Sequence, residues 1–367
     1  MLISRLATLA AIATVSLAGA RQPADRGQLP LSSLSAKIKG EWKTFWRSAR
    51  VLKAGHDRRL TGAIEWRPGR EGISWAEMEV AGDGEAWRTR VILVRIDPRK
   101  VRLALANGAS PGGYEGTWTV GQAPADAVVA LNAGQFTGGA TWGWVVHEGV
   151  EYREPQPGPL AAAVVIDTGG AVRFLTDSAV ARLRREGAGT VSEAFQSYPV
   201  LVRQGSVPDA MSQPSRFLDL IHRDARLGLG RMQDGTLMIA LTRFDALGDA
   251  FGSVPFGLTV PEMSGLMAAL GAEDAVALDG GISAQVMVQD AEGGRKIWKG
   301  MRKVPLGLYG FILTSAEISR NAAFLSASSL SGASRRNSDG LGRLPFGHEK
   351  HPGWSPGWSR AGGSRRR

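Results

Sequence analysis

Short runs of β-branched and apolar residues, each ended by a turn sequence, recur between about residues 90 and 313. No other feature constrains the fold of this chain as much. Val91 to Ile96 is closed by Asp97-Pro98, Val101 to Leu105 runs into Asn107-Gly108, and Ala127 to Leu131 is a short buried run. Three pairs of runs are joined by tight turns. Trp144-Val145-Val146 and Val150-Glu151-Tyr152 flank His147-Glu148-Gly149. Ala161 to Ile166 and Ala171 to Leu175 flank Asp167-Thr168-Gly169-Gly170. Leu227 to Gly230 and Thr236 to Leu241 flank Gln233-Asp234-Gly235. Apolar runs joined by Gly- and Asp-bearing turns predict β-hairpins.

Two segments carry a helical period instead. Asp177 to Arg185 ends at Gly187. Val260 to Leu270 places Met263, Leu266, Met267 and Leu270 on one stripe, with Thr259-Val260-Pro261-Glu262 as a capping box and Gly271 past its end. Ala275 to Leu278 then forms a buried strand that delivers Asp279. The expected class is α+β: a single domain with a mixed, largely antiparallel sheet and helices packed on it.

The ends of the chain differ from its middle. Arg5, the apolar run Leu6 to Leu17 and Ala18-Gly19-Ala20 form the pattern of a secretory signal over residues 1–20. Residues 21–70 read as a linker or N-terminal extension, residues 71–320 as the folded domain, and residues 321–367 as a disordered basic tail. This predicts a periplasmic or secreted protein that does not span a membrane once the signal is cleaved. The net charge of +10 invites a nucleic-acid partner, but residues 331–367 hold eight Lys or Arg against two acids and so carry +6 of it. No specific nucleic-acid binding is expected, and the tail reads as a solvated arm. The absence of cysteine excludes disulfides, thiolate zinc sites and a Cys nucleophile. Of the five histidines, His348 and His351 fall in the tail and His56, His147 and His222 have no ligand-like spacing, so no metal site is expected.

Candidate chemistry sits at strand ends. Asp279-Gly280-Gly281-Ile282-Ser283 brings a carboxylate, two glycines permitting close backbone approach, and a hydroxyl; a tight turn bonded to its own Asp is the plainer reading. Asn132-Ala133-Gly134-Gln135-Phe136 and Gln196-Ser197-Tyr198-Pro199 also place polar groups beside apolar runs. Trp142 and Trp144 read as a same-face pair, either core or a platform for a sugar ring. Arg223 and Arg226 each present a planar donor fork suited to phosphate, with an Arg–Asp224 surface pair as the alternative. Glu262 is a possible second carboxylate whose capping position already accounts for it.

In order and spacing, these stretches resemble the phosphodiester glycosidase family over about residues 90–315. The resemblance rests on Asn-Ala-Gly-Gln-Phe at 132–136, Gln-Ser-Tyr-Pro-Val-Leu at 196–201, the Arg223/Arg226 stretch leading into Gly228, and Leu-Asp-Gly-Gly-x-Ser at 278–283. It departs from the family at Ile282, where a third glycine is common, at Tyr198 and around Arg226. The resemblance implies hydrolysis of a sugar 1-phosphodiester, with no cofactor, in envelope or exopolysaccharide metabolism. Asp279, Arg223 and Arg226 would be catalytic. Asn132, Gly134, Gln196, Ser197, Gly280, Gly281 and Ser283 would bind substrate. A non-catalytic carbohydrate-binding envelope protein on the same fold is the alternative.

Overall fold

The computed structural model describes residue 29 and residues 31–48, 55–82, 88–107, 117–137, 139–158, 160–187, 190–213, 218–244 and 257–317. The leader-like residues 1–20 and the basic tail lie outside them.

The dominant element is a nine-stranded sheet. From one edge it runs Val200–Val202, Ala272–Leu278, Leu227–Met232, Leu237–Phe244, Thr89–Ile96, Ile73–Gly82, Ser33–Ile38 and Glu41–Arg47, with Arg67–Pro68 paired to Ile73–Gly82. A five-stranded sheet orders Val150–Arg153, Val145–His147, Val191–Ser197, Ala162–Asp167 and Val172–Leu175. A second five-stranded sheet orders Arg295–Trp298, Val286–Gln289, Ala127–Asn132, Leu306–Ile312 and Val101–Asn107. Three short α-helices have described bounds: α1 (Arg58–Gly62), α2 (Asp177–Glu186) and α3 (Val260–Ala269).

The fold is therefore mostly β, which corrects the expected α+β class and its mixed sheet. Every strand pair among the described residues is antiparallel. Part of the cause is local: parallel neighbours need long, usually helical crossovers, whereas many sequence neighbours here are joined by short turns; the other pairs form across long stretches of chain. At the first predicted hairpin, Glu148 and Gly149 both take positive φ (52° and 78°), the conformation that matches hairpin twist.

Alternation distributes the side chains. Ile92, Val94 and Ile96 face a central core shared with Leu103, Leu131, Val164 and Phe195 of the other two sheets, while Val91 and Leu93 face α3. All ten residues of α3 are buried, the polar Glu262 and Ser264 among them. It is covered by the strand Glu41–Arg47: a Cβ on Gly265 would fall 2.3 Å from the Trp46 ring. Residues 33–47, read from composition as extension, thus supply two strands of the large sheet, with Leu34, Ala36 and Trp46 buried.

Candidate functional site

The strand Ala272–Leu278 ends beside the N-terminus of α3, and the chain there is fixed by two neighbours. The Asp279 N–H donates to Gly134 O at 2.9 Å, and Asn132 Nδ2 donates to Asp279 O at 2.9 Å. Asn132 Oδ1 accepts from Gln285 N at 3.0 Å, so one buried amide holds both ends of the loop 279–285. Gly134 at φ 73° makes the turn that brings its carbonyl into place.

On the other side, the loop closes against residues 224–226. Gly281 N donates to Ala225 O at 2.7 Å. A Cβ on Gly280 would lie 2.4 Å from that carbonyl, and one on Gly281, at φ 58°, would lie 2.7 Å from Asp224 Oδ2. The two glycines are required by backbone closure and by a carboxylate occupying the space a side chain would fill. Asp224 and Asp279 thereby share one site.

Burial pushes the Asp279 carboxyl up to about 6; the Ser283 hydrogen bond and the Arg302 charge act against it, and the Asp224 charge adds to it. Burial also raises Asp224, with the Arg226 charge opposing. Tyr198 is raised by burial and by the Asp279 charge, and its ring packs edge-on to Trp142 at 4.7 Å. Asp279, raised to about 6 beside a second buried carboxylate, is suited to proton transfer near neutrality.

The predicted arginines are held by protein partners, although Arg226 is near enough for its charge to act on Asp224. Arg223 forms a two-pronged pair with buried Glu262, at 2.6 and 2.8 Å, and donates to Gly257 O at 3.2 Å. Glu262 also completes the capping box by accepting from Thr259 N at 2.9 Å. Arg226 Nε donates to Leu258 O at 2.8 Å and Nη2 to His222 O at 2.5 Å. Its surroundings lower its pKa through burial. Gln196 is likewise saturated: Oε1 accepts from Trp144 N and Gln156 N, and Nε2 donates to Gln156 O and Asp177 Oδ1. Ser197 Oγ donates to Ala277 O at 2.5 Å. Trp142 and Trp144 flank Gly143 at φ 77°; Trp144 is fully buried, its Nε1 on Glu151.

Three residues at this site had no assigned role or only a dull one. Asp224 was read as half of a surface pair; its juxtaposition with Gly281 arises only from tertiary closure. Arg302 is exposed, and its charge acts on Asp279. Its N–H donates to Ile282 O at 3.1 Å, which ties its loop to the Asp279 loop. The local signal was Lys299, Arg302 and Lys303 within one short stretch. Arg243, buried to 2 % exposure, donates to Ala284 O at 2.7 Å and Lys299 O at 3.0 Å, clamping those two loops together. Ile282 is 41 % exposed, so its bulk lies at the surface rather than under the carboxylates. Among the described residues, no group of three or more His, Asp or Glu side chains can hold a metal ion.

The site is thus a pair of buried carboxylates at a Gly-Gly strand end of an antiparallel β protein. The chain belongs to the phosphodiester glycosidase family, which matches residues 125–311, just over half its length. Among solved structures it is similar to the zebrafish N-acetylglucosamine-1-phosphodiester alpha-N-acetylglucosaminidase catalytic domain auto-inhibited by its pro-peptide. That likeness has 14% identity and a TM-score of 0.48, covering 71% of this chain and 96% of that one. A hypothetical protein from Synechocystis matches at 15% identity and a TM-score of 0.39, covering 66% of this chain and 62% of that one. A putative exported protein from Burkholderia pseudomallei matches at 16% identity and a TM-score of 0.35, covering 64% and 77%. Among curated proteins no match is found.

Proposed function

We propose that this chain is an exported glycosidase that hydrolyses a sugar 1-phosphodiester at the C1–O bond. Asp279 and Asp224 are its working carboxylates, and Arg302 is its phosphate-facing cation. The observation that carries the reading is Asp279 itself: a carboxyl raised to about 6, beside a second carboxylate and within the field of an exposed guanidinium.

The chemistry follows from the leaving group. As the C1–O bond breaks, its electron pair leaves with the phosphate ester, and positive charge develops at C1. Arg302 offsets the charge on the departing phosphate. An ionised carboxylate of the pair steadies C1 and takes a proton from the water that adds there, giving free sugar and a phosphomonoester. Asn132, Gly134, Gly280, Gly281 and Ser283 hold Asp279 in place. Gln196 and Ser197 support that floor, and Arg223 and Arg226 brace the neighbouring helix end. The leader-like pattern of residues 1–20 supports a substrate outside the cytoplasm, and an envelope or exopolysaccharide component is proposed.

The test is hydrolysis of a panel of sugar 1-phosphodiesters by the mature chain beside Asp279→Asn and Arg302→Ala. Release of free sugar by wild type, abolished in the first variant and reduced in the second, supports the reading. No release from any substrate would leave a non-catalytic carbohydrate-binding protein; release unaffected by Asp279→Asn would overturn the carboxylate assignment.

A further inference from the structure

A second cluster of chemistry lies on the five-stranded sheet that carries Val191–Ser197. Val145 and Val146 pair with Phe195 and Ala194, so the next cross-strand step sets His147 against Glu193. Glu193 is buried at 3 % exposure, and its Oε2 lies 2.9 Å from His147 Nδ1. Its Oε1 accepts from Glu148 N at 3.4 Å, and the Leu105 backbone N–H also reaches the carboxylate. Three donors thus satisfy an acid that burial would otherwise penalise. The shared proton on Nδ1 fixes the imidazole ring and leaves Nε2 as its remaining polar atom. That atom has no hydrogen-bond partner among the described residues, and the ring lines a cleft of about 550 Å³.

Two aromatic side chains also line this cleft, from the outer face of the neighbouring sheet. Tyr309 and Phe311 come from the strand Leu306–Ile312, with ring centroids 6.0 Å apart, and the Arg102 guanidinium sits 5.5 Å over Phe311. Tyr309 Oη accepts from Trp118 Nε1 at 2.6 Å, which leaves its hydroxyl hydrogen available. Aromatic rings and planar polar side chains lining one cleft suit a ring with an apolar C–H face and a rim of hydroxyls. Glu148 and Glu193 both line the cleft, which disfavours an anion there. Glu193 and Ser197 are four residues apart on one strand, or about 13 Å, and Ala194 to Gln196 between them are buried. The cleft is therefore distinct from the Asp279 site.

We propose that this cleft is a second saccharide-binding site. It takes one neutral pyranose unit against Tyr309 and Phe311, with His147 Nε2 and Arg102 on its hydroxyls. The proposal does not depend on the phosphodiester glycosidase reading.

The test is ligand-observed saturation-transfer NMR and titration of the full chain with glucose, galactose and N-acetylglucosamine. Wild type is compared with His147→Ala, Arg102→Ala and Asp279→Asn. Arg102 is exposed, so its variant keeps the fold even if the His147 variant does not. The expected result is saturable binding of at least one sugar, retained in Asp279→Asn and weakened about tenfold in each cleft variant, as loss of one hydrogen bond to the sugar predicts. Three results would overturn the proposal: no binding of any of the three sugars, binding lost in Asp279→Asn, or binding unchanged by both cleft substitutions. None of them bears on hydrolysis at Asp279, which the phosphodiester panel tests separately.

Discussion

Replacing Asp279 by Asn should make the protein more stable while removing its activity, and the stability gain should depend on pH. Asp279 is raised from 3.8 to about 6, first by burial. Because the folded value lies above the unfolded one, it is the ionised form that folding penalises. Below pH 3.8 the group is protonated in both states and the penalty is absent. It grows between pH 3.8 and 6 and is complete above that. A shift of this size corresponds to about 3 kcal/mol, and residual solvent contact brings the expected range to about 1–3 kcal/mol. Asn carries no charge and keeps an oxygen for the Ser283 hydroxyl. The gain at pH 7.5 is therefore about 2–8 °C in Tm, and near pH 4 it is close to zero. The assay is thermal unfolding of wild type and Asp279→Asn across that interval, followed by circular dichroism. Equal Tm differences at both pH values would refute the reasoning, because the substitution would then act through packing or hydrogen bonding. Loss of the difference at high pH, with retention at low pH, would reverse the sign and place a net favourable partner on the carboxylate. Burial raises Asp224 as well, and its charge acts on Asp279, so the pH–rate profile should report the pair rather than either residue.

Other substitutions separate the roles of the cations and test the N-terminal strands. Arg302→Ala should lower kcat/KM by about 10- to 100-fold, the loss of one charge-stabilising contact, with Tm unchanged because the side chain is exposed; steady-state kinetics with a calorimetric control checks both. Arg223→Ala should instead destabilise by about 3–5 kcal/mol, since it leaves Glu262 buried without its partner; urea unfolding reads this, and an unchanged midpoint would remove the ion pair from the account. Trp46→Ala should cost about 3–5 kcal/mol, because the indole fills the space over Gly265 on α3. Equal stability of that variant would mean residues 33–47 contribute little to the folded domain.

What could be read from the sequence follows the range of the interactions involved. Hairpin turns and the Thr259–Glu262 capping box are set by residues within a few positions of each other, and they appear where the pattern places them. The arrangement of strands into the three larger sheets depends on long-range pairing, and the expected helix-packed mixed sheet gave way to antiparallel ones. The strands at 33–47 were obscured because their inward residues include small Ala36 and their outward ones are Ser and Lys, so the alternation is short and weakly apolar.

The same distinction applies within the site. Asp279 is legible because a buried strand followed by two glycines is a local signal. The partner that gives those glycines their purpose is not: only the closure of Gly281 onto Ala225 shows that Asp224 fills the space a Cβ would need. A fork of donors in the sequence is equally mute about its acceptor. Arg223 fits phosphate as well as it fits Glu262, and the fold decides by burying Glu262 within reach and leaving Arg302 exposed near Asp279. Removing Glu262 by Glu262→Gln would weaken that choice. It should free Arg223 to compete for phosphate and raise affinity for inorganic phosphate, measured by titration, in a variant that Arg302→Ala leaves still able to bind. If phosphate affinity in Glu262→Gln falls to nothing when Arg302 is removed, Arg223 has no path to the site and its role is confined to the helix end.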